Sequence, residues 1–281
     1  MVVVETATTH NFSEDIQMPT RDSAWPQGTP CWVDLQVDDV AKARQFYSEL
    51  FGWEIFDGPD DAGGYLMAML KGKPAAGIGP KFGDAPMPSV WTTYLAADSA
   101  DDIAEKIGAA GGMLFGPPFD VLDVGRMFVA TDPAGAPFGV WEAKAHTGAG
   151  VYNEHGAYTW NELHTLQYEE SREFFTKVFG WTYTDMGDGV NMTYSTFANP
   201  GAEEGCGGIA DAKLFGEPAS YWLTWFQVDG LDASLEKAIA LGSSKMMGPD
   251  ATPFGRMAVV AGPQGEVFGL IDGNDKSAPP Q

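Results

Sequence analysis

The sequence predicts an α+β protein of two similar halves, each built from two βαβββ modules, and three observations carry that prediction. Residues 28–53 align without a gap on residues 156–181 at an offset of 128, with Gly28/Gly156, Trp32/Trp160, Leu35/Leu163, Phe51/Phe179, Gly52/Gly180 and Trp53/Trp181 among the identities. The stretch from Trp91 matches that from Trp222 at an offset of 131, and Gly125-Arg126-Met127 recurs at Gly255-Arg256-Met257. Self-similarity at a fixed offset is the mark of a duplicated structural unit. Within each copy a two-residue apolar alternation gives way to helical spacing and then returns to strand-like runs.

Taken in order, CWVDLQV alternates and predicts a strand. Asp38 or Asp39 then caps a helix whose Val40, Ala43, Phe46, Tyr47 and Leu50 share one face, and Gly52 ends it. YLMAML and AAGIG read as strands, WTTYLAA as a further strand, and DDIAEKIGAA as a short helix closed by Gly111. MFVATDP and PFGVWEA form a last hairpin around Asp132-Pro133-Ala134-Gly135, a sequence suited to a type I turn. The second half repeats this order. The resulting division is a flexible tail over 1–25, a first domain over 26–145, a linker over 146–153, a second domain over 154–275 and a tail over 276–281.

A chain of 281 residues with 44% apolar residues can bury two substantial cores. Its 39 acidic against 16 basic side chains give a net charge of −23, which opposes binding to nucleic acid or to an anionic membrane surface. The expected partner is a small-molecule ligand, and the chain is expected to be a monomer or a homodimer. Only Cys31 and Cys206 are present, far apart, so neither a disulfide framework nor a thiolate zinc site is expected. With no basic, apolar leader and no long apolar run, a cytoplasmic location is expected.

WVDLQV, the following VDDVAKARQFYSELFGW and the terminal DPAGAPFGVWE resemble the vicinal oxygen chelate superfamily of glyoxalases, bleomycin-resistance proteins and extradiol dioxygenases. GTPCWVDLQ, GRMFVATDPAGAPFGVW and WNELHT are most similar to the two-domain glyoxalase-like proteins of actinobacteria. The resemblance implies paired βαβββ modules that form open, cup-shaped domains, with metal ligands on the inner wall in metal-using members. The ligand positions it implies fall on Trp32, near Gly77, Thr92 and Gly139, and in the second half on Trp160, near Gly208, Leu223 and Gly269. None offers a good donor for a transition metal. No cofactor is therefore expected, with a divalent metal kept as an alternative.

Strand alternation puts Trp32, Asp34 and Gln36 on one face and Val33, Leu35 and Val37 on the other. The repeat places Trp160, Glu162 and His164 likewise, and the polar faces are expected to line the cups. Glu162 and His164, two residues apart on one strand, suit either general acid/base chemistry, an unconventional metal site or a hydrogen-bonded interface pair. Asp34 is the matching carboxyl, so Glu162, His164 and Asp34 form the candidate catalytic set. Trp32 and Trp160, with Tyr94, Trp225, Gln36 and Gln227, are candidate ligand-binding residues, the two tryptophans serving either as flat walls or as plain filling. Arg126 and Arg256 would either grip an anion or brace a turn. His10, His146 and His155 are expected to be solvated loop residues.

The function expected from these residues is a glyoxalase-like protein that binds, and by an open alternative converts, a small apolar or aromatic metabolite in a metal-free cup. The other readings are non-catalytic sequestration of an antibiotic or metabolite, and a metal-dependent glyoxalase-type lyase.

Overall fold

The structure, a computed structural model, describes residues 19–81, 83, 87–187 and 192–276; His10, most of the expected N-terminal tail and all but Lys276 of the C-terminal tail lie outside the described residues. The first half runs β1 (Pro30–Val37), α1 (Val40–Phe51), β2 (Glu54–Asp57), β3 (Leu66–Leu70) and β4 (Lys73–Pro80). It continues with β5 (Val90–Ala97), α2 (Ala100–Ala109), β6 (Met113–Leu114), β7 (Phe119–Val121), β8 (Gly125–Thr131) and β9 (Pro137–Ala143). The second half runs β10 (Tyr158–Thr165), α3 (Tyr168–Phe179), β11 (Thr182–Asp185), β12 (Tyr194–Ala198) and β13 (Gly207–Asp211). Then follow β14 (Tyr221–Gln227), α4 (Leu231–Ala240), β15 (Ser244–Thr252), β16 (Gly255–Ala261) and β17 (Val267–Asp272).

The two sheets have the same order, β2-β3-β4-β1-β5-β9-β8-β6 with β7 also on β8, and β11-β12-β13-β10-β14-β17-β16-β15. In each, the two modules join where their first strands run antiparallel, β1 against β5 and β10 against β14. The first strand of each module also pairs parallel with its module's last strand. No described helix is long and apolar enough to cross a membrane.

Local chemistry fixes the elements. Asp39 caps α1 by accepting from Lys42 N at 2.9 Å, and Gly52 ends it at φ 73°, a left-handed conformation that glycine adopts without steric cost. Gly180 ends α3 in the same way at φ 77°. The Asp132 turn closes with Gly135 N donating to Asp132 O at 3.0 Å.

Val33, Leu35 and Val37 are fully buried under the helices. That core does not stop at the domain boundary. Tyr47 and Phe51 of α1 pack among Trp53 and Trp91 of their own half and Phe226 and Phe268 of the other. α2 contacts α3, α1 contacts α4, and Phe138 packs on Phe174 and Phe175. The helix-covered faces of the two sheets therefore close on each other.

Hydrogen bonds across this seam reflect the duplication. Trp53 Nε1 donates to Gly156 O at 2.7 Å, and its repeat partner Trp181 donates to Gly28 O at 3.0 Å. Asn161, which replaces the apolar Val33 of the first copy, accepts from Thr93 at 2.8 Å and from Thr224 at 3.1 Å. Residues 19–25, the end of the expected flexible tail, are held. Thr20 bridges to Val151, Arg21 N donates to Gly150 O, and Trp25 packs edge-on against Tyr152 at 5.1 Å.

Phe226→Ala is expected to destabilise the protein by about 3–5 kcal/mol through lost contacts and a residual cavity. Because its neighbours belong to both halves, one transition of the whole chain should shift. Urea denaturation followed by tryptophan fluorescence and far-UV circular dichroism checks this, and two separate transitions with only one displaced would contradict a shared core.

Candidate functional site

The face of each sheet opposite the helices forms a cup floored by glycines. In the first cup, Trp32, Tyr94 and Gly139 lie in one register row across β1, β5 and β9, and Gly77, Asp34 and Thr92 in the next. Trp32 Nε1 donates to the Tyr65 hydroxyl at 3.0 Å, and that hydroxyl lies where a Cβ on Gly77 would stand. The Tyr94 ring covers Gly139 in the same manner, while its hydroxyl donates to Asp34 Oδ2 at 3.0 Å. Trp32, Asp34, Gln36 and Tyr94 are all buried, so this cup is filled by its own side chains.

Two features of the first cup were invisible in the sequence. Burial drives the Asp34 carboxyl up to about 7, which the Tyr94 hydrogen bond offsets only in part, and Asp34 Oδ1 has no hydrogen-bond partner among the described residues. His146, expected to be a solvated loop residue, instead sets its ring edge-on to Trp32 at 4.4 Å and lies against Trp141. Burial lowers it to about 4. The segment carrying it is tied down where Ala149 N donates to Cys31 O and Gly150 N to Pro74 O, both at 2.8 Å.

The second cup follows the same plan with different chemistry. Trp160 Nε1 donates to the Tyr194 hydroxyl at 3.0 Å over Gly208, and the Tyr194 hydroxyl donates to Glu162 Oε2 at 3.2 Å. The other carboxylate oxygen, Glu162 Oε1, lies 2.7 Å from His164 Nε2. Tyr221 stacks on the imidazole at 4.9 Å, its hydroxyl 3.4 Å from His164 Nδ1 and 3.2 Å from Glu217 Oε1. The side chains of Glu162 and His164 remain 13% and 12% exposed.

The structure thus brings Glu162 and His164 together and puts Asp34 in the other cup. Trp225 covers Gly269, as Tyr94 covers Gly139. Gln227, expected to hold a ligand, is committed to its own chain, donating to Val228 O and accepting from Gly273 N. Tyr65 and Tyr194 were missed; each precedes or opens a strand at an offset of 129, facing glycines at an offset of 131, a repeat signal that was present but weak. Arg126 and Arg256 serve the fold: Arg126 pairs with Asp101 and Arg256 with Asp232, each in the first turn of the helix of its own module, α2 or α4. His155 accepts from Asp229 N at 2.9 Å.

Two sheets of tandem βαβββ modules carrying opposed cups define a class of protein, and the chain belongs to it: the model of the Glyoxalase/Bleomycin resistance protein/Dioxygenase superfamily matches residues 31–140 and again 162–270. Among curated relatives, CFP32 of Mycobacterium tuberculosis, a protein provisionally named a glyoxylase, is 40% identical over 269 residues, covering 94% of this chain and 100% of that protein. The anthracycline biosynthesis protein DnrV of Streptomyces peucetius is 34% identical, covering 87% of this chain and 93% of that protein. Among solved structures, the Mn(II)-bound glyoxalase from Novosphingobium aromaticivorans superposes with a TM-score of 0.59 at 18% identity, covering 90% of this chain and 87% of that one. The catechol dioxygenase BphC gives 0.58 at 12% identity, with 87% of each chain covered, so these likenesses speak for the fold.

A metal of the kind held by that glyoxalase does not fit the residues at the positions the family resemblance implies. Trp32 and Trp160 present indoles whose N–H groups are donors already engaged by tyrosines, and an indole has no lone pair to offer a cation. Over Gly77, Gly139, Gly208 and Gly269 the space of a ligating side chain is taken by Tyr65, Tyr94, Tyr194 and Trp225. Among the described residues no group of three His, Cys, Asp or Glu side chains converges.

Asp34 makes a pH prediction. Its folded-state value of about 7 lies above the 3.8 of an ordinary Asp, so between those values the folded protein binds more protons than the unfolded chain. The stabilisation is full below about pH 4 and is lost as the pH rises through 7. Asp34→Asn, which cannot ionise, should flatten that fall and leave the variant less disadvantaged at pH 8 than at pH 4. Urea unfolding of both proteins at the two pH values checks it, and parallel stability profiles would contradict it.

Proposed function

We propose that this chain binds a small aromatic or apolar metabolite in its second cup and moves a proton on it with His164, with no metal taking part. The observation that carries the reading is the 2.7 Å contact of Glu162 with His164 on a wall that remains partly open. Glu162 accepts Nε2–H, fixes the ring's orientation and stabilises the imidazolium once Nδ1 gains a proton. Glu162 is a positioning residue in this scheme, and His164 the group that meets the ligand. Trp160, Tyr194 and Tyr221 supply flat faces for ring stacking. Similarity to DnrV, named for anthracycline biosynthesis, supports a ligand with fused rings.

The first cup plays no part in this reaction. Asp34, buried and bonded to Tyr94, supports the packing there.

The test begins with a thermal-shift screen of aromatic and α-keto metabolites, in which a ligand at 100 times its dissociation constant adds about 2.7 kcal/mol of stability. For a ligand found in this way, His164→Ala should lower turnover, or solvent deuterium exchange at the ligand's acidic C–H, by about 10²–10⁴-fold. Binding should stay within a few-fold, and Glu162→Gln should fall between wild type and His164→Ala. Retained binding with no exchange in any of the three proteins would identify sequestration. Near-stoichiometric nickel, zinc, manganese or iron in protein purified without chelator would replace the reading with a metal-dependent lyase.

A further inference from the structure

Trp225 is 3% exposed, and its Nε1 is buried with no hydrogen-bond partner among the described residues. Such a donor is rare in a folded protein. Its counterpart in the first cup, Tyr94, has its hydroxyl satisfied by Asp34. In the second cup the longer Glu162 reaches Tyr194 and His164 instead. The Trp225 ring lies over Gly269, clustered with Leu223, Val259 and Ile271, and with the partly buried Trp160, Tyr221, Met257 and Val267 packed against them.

The charges around the cup point the same way. Glu162 and Glu217 bond to His164, Tyr194 and Tyr221, and among the described residues no Lys or Arg bonds to any of these five. A ligand carboxylate or phosphate would be brought beside two carboxyl groups, with no Lys or Arg to offset it and His164 already engaged by Glu162. Trp160 and Tyr221, partly buried at the edge of the cluster, leave part of their aromatic surface accessible. Met257, also at that edge, is an unbranched side chain that can change rotamer to admit a ligand atom.

From this we infer that the second cup selects a flat aromatic molecule that carries no negative charge and presents one hydrogen-bond acceptor, such as a carbonyl oxygen, to Trp225 Nε1. The inference rests on the second cup being the ligand site. It adds which chemical class enters and which side chain reads it.

Equilibrium dialysis of the full chain at pH 7 with three matched probes tests it: 2-acetylnaphthalene, 2-ethylnaphthalene, which lacks the acceptor, and 2-naphthoate, which is an anion. The ketone should be retained about tenfold better than the hydrocarbon, the worth of one hydrogen bond to a buried donor, and naphthoate should not be retained. Trp225→Phe should bring the ketone down to the hydrocarbon's level with the hydrocarbon unchanged, and Trp160→Ala should weaken both. Equal retention of ketone and hydrocarbon by the wild type, a comparison that needs no variant, overturns the inference, as does naphthoate binding as well as the ketone. If that binding still falls in Trp160→Ala, the second cup stands as the ligand site and only its chemical class is wrong. Failure of every probe to bind, or binding indifferent to both substitutions, removes the cup as ligand site together with the inference.

Discussion

Everything in this molecule depends on burying the helix-side faces of β1 and β10, aliphatic in β1 and mixed in β10, where Asn161 and Thr165 flank Leu163. A strand with Val33, Leu35 and Val37 on one side and Trp32, Asp34 and Gln36 on the other must cover the first set and is free to use the second. One helix per module covers only part of a sheet of this width. The remaining apolar area is buried by facing the two helix layers toward each other, so that Phe51, Trp53, Phe226 and Phe268 form one aromatic cluster. Once the helix faces are committed to that seam, the polar faces of both sheets must point outward, and the cups follow as a geometric consequence.

The seam is symmetric where hydrogen bonds need backbone partners and asymmetric where they need side chains. Trp53 and Trp181 make the same bond in opposite directions. By contrast Tyr47 donates to Glu266 and Ser171 to Asp132, and at neither site does the repeat supply the same pair on the other side. Each polar pair replaces an apolar pair of the other copy, so the groups of these two pairs stay matched while the copies diverge. The cups diverged more. Asp34 bonds to Tyr94, whereas Glu162, one methylene longer and with Trp225 at the Tyr94 position, reaches Tyr194 and the histidine that replaces Gln36. The first cup is closed by Trp32, Tyr65, Tyr94 and His146, and the second keeps a titratable pair near its surface.

Much of this was legible in the sequence, because it depends on local periodicity and on the repeat. The strand over 31–37, which the structure starts at Pro30, the helix capped at Asp38 or Asp39 and ended by Gly52, the hairpin at Asp132 and the common face of Glu162 and His164 all follow from spacing alone. His146 shows where that kind of reasoning stops. It lies in a Gly-containing stretch that reads as a solvated linker, and it is partly buried because residues 149–151 are held by Cys31, Pro74 and Thr20, contacts far away in the chain. Tyr65 and Tyr194 escaped notice for a related reason. Nothing local marks an aromatic ring that folds across a neighbouring strand to fill the space above a glycine.

The sequence by itself determined the fold, the duplication and the face on which each cup residue stands, since alternation and capping are properties of neighbouring residues. Only the tertiary structure decided which cup is closed, which polar atoms lack partners and what occupies the ligand positions of the family. Those outcomes depend on which side chain reaches a given space first, and reach is set by strands that the sheet brings close while they stand 30 or more residues apart in the chain.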